Sequence, residues 1–246
     1  MTADLTRRDL LAAGGTAAAS LPLAAHGQGM PGHAQGQAAQ APPRVWRFFN
    51  EAEARLVTAM VDRLIPADAE FTGAAGAGVP EYLDGQLAGA WGHGNRLYRL
   101  GPFQQGTPEQ GYQLPFTPAE LYRLALPAFA AWVRQGYGSG FEALPGALQD
   151  EALSRAETGE AGFEQVSSAV FFETLLANTV EGFLSDPMYG GNRDFVGWRM
   201  VGFPGPYAGY VDLLERHDLR FTRAPRGIAE AMQEHAAHHR APTPQR

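Results

Sequence analysis

"NEAEARLVTAMVDRLIP" (residues 50–66) decides the fold class. Leu56, Val57, Met60, Val61, Leu64 and Ile65 recur at helical spacing, so they line one face of a helix and would splay to both sides of a strand. Asn50 stands where an N-cap belongs and Glu53 three residues later, a variant capping box, while Pro66 cannot continue the helix. Further on the same grammar recurs. Residues 117–120, Thr-Pro-Ala-Glu, give a cap, a proline at the first helical position and a reciprocal glutamate. Leu121, Leu124, Ala125, Ala128, Phe129, Trp132 and Val133 then carry an apolar face to about Gln135, with Pro127 expected to kink it. A short helix is expected from Pro80 with Leu83, Leu87 and Trp91 inward, another over 145–156, and the longest over 163–184 with Val166, Val170, Leu175, Leu176, Val180, Phe183 and Leu184 inward. A last amphipathic stretch, 225–239, reads as a peripheral tail helix within a tail of 225–246. Alternating strand patterns are missing. The expectation is an all-α, irregular helical domain (44–224) with long Gly/Pro/aromatic loops.

Composition narrows the chemistry. The 246 residues carry a formal charge of −7, which argues against a phosphate-binding surface and against nucleic acid as a partner. Lysine and cysteine are both absent. The first removes Schiff-base and P-loop lysine chemistry; the second removes disulfides, thiolate nucleophiles, Cys-ligated clusters and covalent haem attachment.

The N-terminus reads as an address. "LTRRDLLAAGGTAAASLPLAAHG" (5–27) pairs Arg7 and Arg8 with Leu10 and Leu11 and a modest Ala/Gly-rich apolar run, the pattern of a twin-arginine export signal over residues 1–25. The run is too short and glycine-rich for a stable span, which needs about twenty apolar residues. A Gly/Gln/Ala/Pro linker follows over 26–43. The expected location is the periplasm, with membrane association only through a complex or an uncleaved signal. That route carries folded proteins, commonly because a cofactor is inserted first, and this chain has no evident cofactor ligands.

Candidate chemistry is sparse. His235, His238 and His239 form an H-x-x-H-H at helical spacing that could hold a divalent metal, against the plainer reading of a solvated tail. His93, between glycines in "WGHGNR", could act as a base, against an ordinary exposed histidine. Asp62, Asp68, Glu70, Glu81 and Asp84 gather near the first loop and second helix, where capping and solvation compete with binding of a hard cation. No serine occupies a nucleophile elbow.

The most unusual stretch is "SDPMYGGNRDFVGWRMVGFPGP" (185–206), with five glycines, three prolines and four large aromatics. It is too glycine-rich to read as a helix interior and too irregular for a strand. Two compatible readings apply to it: a rigid loop packing its aromatics on the core, and a presented binding surface of Asp186, Tyr189, Gly190, Gly191, Asn192, Trp198 and Phe203, since aromatics and arginine are enriched at interfaces.

Together with "LVTAMVDRLIPAD", "AGVPEYLD", "FTPAELYRLAL" and "FFETLLANTVEGFLSDP", this loop resembles the gluconate 2-dehydrogenase subunit 3 family over about residues 48–209. The resemblance implies a non-catalytic small subunit. In such complexes FAD and the sugar site lie on a GMC-type flavoprotein large subunit, and electrons often pass to a cytochrome c subunit carrying haem c. It implies binding, maturation and export of the large subunit through the twin-arginine translocase, which would explain an export signal on a chain without cofactor. It transfers no catalytic, cofactor or metal residue to this chain. The competing classes are a free-standing periplasmic enzyme using His93, Asp186 or Tyr189, and a metal-binding protein using the C-terminal histidines.

Overall fold

The computed structural model describes residues 45–239 apart from 96, 105, 108–112, 207–214, 217 and 220–222, with side chains as far as 233. Arg7, Arg8, Leu10 and Leu11, and the linker after them, lie outside the described residues. Seven α-helices and no strand occur among the described residues: α1 (Glu51–Leu64), α2 (Val79–Ala88), α3 (Pro118–Tyr137), α4 (Gly146–Glu157), α5 (Ser168–Leu184), α6 (Val196–Val201) and α7 (Ile228–His239).

The caps behave as their chemistry requires. Asn50 Oδ1 accepts from the backbone N–H groups of Ala52 and Glu53, and Glu53 Oε2 accepts from that of Asn50, all at 2.9 Å. Thr117 and Glu120 make the same reciprocal box at the start of α3. That helix continues through Pro127, which lies on its exposed face, and ends at Tyr137, where Gly138 takes a left-handed turn at φ 72°.

α5 is the centre. It packs against α1, α2, α3, α4 and α6. Its buried side is Phe171, Phe172, Leu175, Asn178, Thr179, Gly182 and Phe183 beside Ser168. Fully burying a phenylalanine or leucine contributes about 1.5–3 kcal/mol, so Phe171, Leu175 and Phe183 make α5 a major contributor to the core. Rings interlock around it: Tyr122 meets Phe171 edge-on at 5.6 Å, and Phe129 contacts Phe141 at 5.5 Å.

Several expectations need correction. α5 starts at Ser168, not at residue 163, and Val180 and Leu184 are exposed. The helix is apolar nearly all round, so its periodicity could not choose the buried side. Trp91 lies beyond the end of α2 and is exposed. Pro145 is the residue before α4 rather than its first. α7 begins at Ile228, not at 225. Inside the glycine-rich loop a helix does form: α6, six residues long, preceded by 3₁₀ turns at Pro187–Tyr189 and Arg193–Phe195.

One acidic residue of the first cluster has a decisive structural role. Asp84, buried in α2, accepts hydrogen bonds from the backbone N–H groups of Arg47, Phe48 and Phe49 at 2.8–2.9 Å. A carboxylate that satisfies three consecutive donors fixes the approach to α1. Phe48 is then held under the Arg123 guanidinium, 3.8 Å from its ring centre. Replacing Asp84 by alanine strands these donors and should cost about 3 kcal/mol, lowering the melting temperature by roughly 6–12 °C. Thermal unfolding followed by circular dichroism checks this, and an unchanged midpoint would show that the incoming segment contributes nothing.

Candidate partner interface

The end of α5 dictates the course of the loop after it. A helix C-terminus leaves its last carbonyls without intrahelical partners. Here they are met by the loop: Ser185 Oγ donates to Gly182 O at 3.1 Å, Trp198 Nε1 to Leu184 O at 2.7 Å, and Asn192 Nδ2 to Ser185 O at 2.8 Å. Asn192 is fully buried and takes a left-handed conformation, and its Oδ1 accepts from Gly197 N at 2.8 Å. One amide thus ties the helix end to the start of α6.

The glycines allow the backbones to touch. A Cβ on Gly191 would stand 2.1 Å from Gly182 O, and one on Gly197 would stand 2.1 Å from Phe183 O. The loop also reaches α2, where Arg193 N donates to Ala77 O at 2.9 Å and the Arg193 guanidinium pairs with Glu81 at 3.1 Å. Asp194 and Phe195 join Asn192 in the left-handed region, a costly conformation for side-chain-bearing residues that the surrounding contacts must enforce.

Asp186 is committed elsewhere. Its Oδ1 accepts from Met188 N at 3.0 Å, capping the first 3₁₀ turn, and its Oδ2 accepts from Ile228 N at 2.7 Å at the start of α7. An anionic side chain at a helix N-terminus is electrostatically favoured. The beginning of the C-terminal helix is therefore docked on the loop, with Arg226 N donating to Pro204 O as well. A carboxylate with both oxygens engaged by backbone donors is a cap, which leaves it poorly placed as a catalytic base.

The candidate residues separate into a frame and a face. Trp198 is only 5% exposed and contacts the rings of Phe195, at 5.4 Å, and Phe203, edge-on at 5.0 Å. It belongs to the frame with Gly190, Gly191 and Asn192. Tyr189 is 52% exposed, and its neighbour Met188 and, at the end of the same stretch, Val201 and Phe203 are exposed to similar degrees. Val180 and Leu184, which sequence analysis turned inward, add an exposed apolar edge one turn apart on α5. Met188 and Val201 were missed because a lone methionine or valine in a glycine-rich loop gives no pattern.

Between α2 and α5 opens a small cleft of about 100 Å³, lined by Tyr82, Leu83, Gln86, Trp91, Asn178 and Glu181. Partial burial of its carboxyl raises the Glu181 pKa above the ordinary carboxylate range, although the residue as a whole is exposed. Burial, with the Glu181 charge and then Tyr189 adding to it, raises the Tyr82 phenol in turn. Two wider grooves, of about 440 Å³ along α3 and about 420 Å³ along α1, contain none of the candidate interface residues.

The other candidate chemistry does not converge. His93 is exposed in a turn after α2. No group of three His, Asp or Glu side chains that could hold a metal occurs among the described residues. The side chains of His235, His238 and His239 lie outside them.

A family model described as gluconate 2-dehydrogenase subunit 3 matches residues 51–205. The chain belongs to the gluconate 2-dehydrogenase subunit 3 family. Membership makes it a subunit of a dehydrogenase assembly, which implies partner subunits. No curated protein and no solved structure matches it. No helix among the described residues is long and apolar enough to cross a membrane. The family match spans α1 to α6 and the loop up to Gly205, so the frame described above lies inside it, whereas α7 lies beyond.

Two glycine substitutions should separate close approach from mere flexibility. Gly191→Ala forces apart the loop and α5 and should destabilise by at least about 2 kcal/mol. Gly85→Ala, in α2 with open space around its Cβ, should stabilise by about 0.5–1 kcal/mol. Denaturant unfolding of both variants measures the contrast. Equal effects would mean that the loop can lift from α5 at no cost.

Proposed function

We propose that this chain is the non-catalytic small subunit of a periplasmic FAD-dependent sugar, sugar-acid or alcohol dehydrogenase. It binds a GMC-type flavoprotein large subunit and supports its maturation and its export through the twin-arginine translocase. FAD resides on the large subunit, and haem c on a cytochrome subunit where a third subunit is present. The observation that carries this reading is the family match over residues 51–205. The loop supports it physically: a backbone locked onto α5 presents Tyr189, Phe203 and Met188 to solvent. Exposed apolar side chains on a rigid frame lose little conformational freedom on association. The Arg7-Arg8 pair supports the export half, since it would serve a folded partner travelling with this chain.

Tyr189→Ala and Phe203→Ala should each fold normally and lose capture of the large subunit, by about 2–4 kcal/mol or thirtyfold and more in affinity. Trp198→Ala should instead lower thermal stability, because it opens the frame. Pull-down of the flavoprotein by folded variants is the measurement. Full capture by both surface variants would place the interface elsewhere.

Replacing Arg7 and Arg8 by lysine should leave both this protein and its flavoprotein partner in the cytoplasm, because an ammonium group does not reproduce the planar guanidinium fork. Fractionation followed by dye-linked dehydrogenase assay reads the outcome. Normal periplasmic activity would dismiss the shared-export idea.

A further inference from the structure

The cleft between α2 and α5 is sized for a side chain. Small-molecule sites commonly enclose roughly 300–1,000 Å³, whereas this one offers about 100 Å³. Its chemistry is equally selective. A carboxylate, Glu181, shares the walls with two aromatic rings, Tyr82 and Trp91, and with the amides of Gln86 and Asn178. Carboxylate beside aromatic face is the combination that holds a guanidinium or ammonium group, by ion pairing and by cation–π attraction together.

Among the described residues Glu181 also has no hydrogen-bond or ion-pair partner: Arg63, Arg99, Arg123, Arg155 and Arg193 are each paired with another carboxylate. The walls are fixed: on α5, Asn178 Nδ2 donates to the buried Tyr122 Oη at 3.0 Å, and Gly182 lets α5 approach the Tyr82 ring of α2. Glu181 is exposed where it lines the cleft, so a cation can reach its carboxylate from solvent.

The cleft adjoins the face described above. Tyr82 senses both Glu181 and Tyr189 electrostatically, and its backbone lies 3.8 Å from the position a Cβ on Gly190 would take. We propose that the Glu181 cleft receives an arginine or lysine side chain of the large subunit, a charged anchor beside the apolar contacts of Tyr189. The assignment rests on the subunit function proposed above and names the chemistry that the partner must bring.

The test is a titrated pull-down of the flavoprotein large subunit by the full-length chain and its variants. The expected order of affinity is wild type, then Glu181→Asp, then Glu181→Gln at about tenfold weaker or more, then Glu181→Arg weakest of all, since like charges would meet. Trp91→Leu should weaken binding too, whereas Glu173→Gln, on the same helix but outside the cleft, should not. A role confined to shape would leave the nearly isosteric Glu181→Gln at wild-type affinity, and that result overturns the proposal. Melting temperatures close to wild type should accompany the Glu181 variants, which break no internal bond. Binding by the wild type with no change on Glu181 substitution would refute the cleft alone. No binding by the wild type would refute the subunit function and the cleft with it.

Discussion

The unsatisfied carbonyls at the end of α5 are the constraint on which the functional part of the molecule depends. A buried helix end must find donors, and this one finds them in the segment that follows it: Ser185 Oγ, Trp198 Nε1 and Asn192 Nδ2. To deliver those donors the chain has to fold back across its own last turn at backbone-contact distance. That requirement fixes Gly191 and Gly197, because any Cβ there would overlap the carbonyls of Gly182 and Phe183. It also forces Asn192, Asp194 and Phe195 into left-handed backbone, with the cost met by the hydrogen bonds that the turn permits. The glycine-rich composition is thus the consequence of a capping problem, with flexibility neither needed nor obtained.

The same economy of donors and acceptors ties the remaining ends together. Asp84 gathers the three N–H groups before α1, and Asp186 gathers those at the start of a 3₁₀ turn and of α7. Both carboxylates sit in a stretch that sequence analysis weighed for catalysis or cation binding. Each is instead spent on backbone groups far away in sequence, Ile228 in one case and residues 47–49 in the other.

Legibility in the sequence follows the range of the interaction. Capping boxes at Asn50–Glu53 and Thr117–Glu120 act over three residues, so their letters are enough to find them. The all-α class, and five of the helices to within a few residues, follow from periodicity and those caps. The buried side of α5 did not follow: a helix apolar on most sides has no preferred face until its neighbours are in place, and Val180 and Leu184 were turned inward for that reason. Within the candidate face, Tyr189 and Phe203 were named from composition and are exposed, whereas Trp198 was named on the same grounds and is buried. Composition cannot separate them, because the difference is made by Leu184 O, which takes the indole N–H, and by the rings of Phe195 and Phe203 packed against the indole. The Glu181 cleft was invisible for a related reason: its walls come from Tyr82 and Gln86 on one helix and Asn178 on another.

Frame and face are therefore different kinds of residue occupying one loop. At Gly191, Asn192, Gly197 and Trp198 the side chain, or its absence, is set by distances to α5, and any alteration there acts on folding before it can act on recognition. Met188, Tyr189, Phe203 and Glu181 keep their side chains exposed, so packing restricts what may stand there far less. In the proposed interface, partner choice is then free to vary at the second set while the first holds the backbone in place. Trp198 is the one residue that bridges the two roles, since the ring that shields the end of α5 is also the surface against which Phe203 rests edge-on at 5.0 Å. The orientation of an exposed anchor is in that way tied to the Trp198–Leu184 hydrogen bond, and a partner that reads Phe203 reads the closure of the α5 terminus with it.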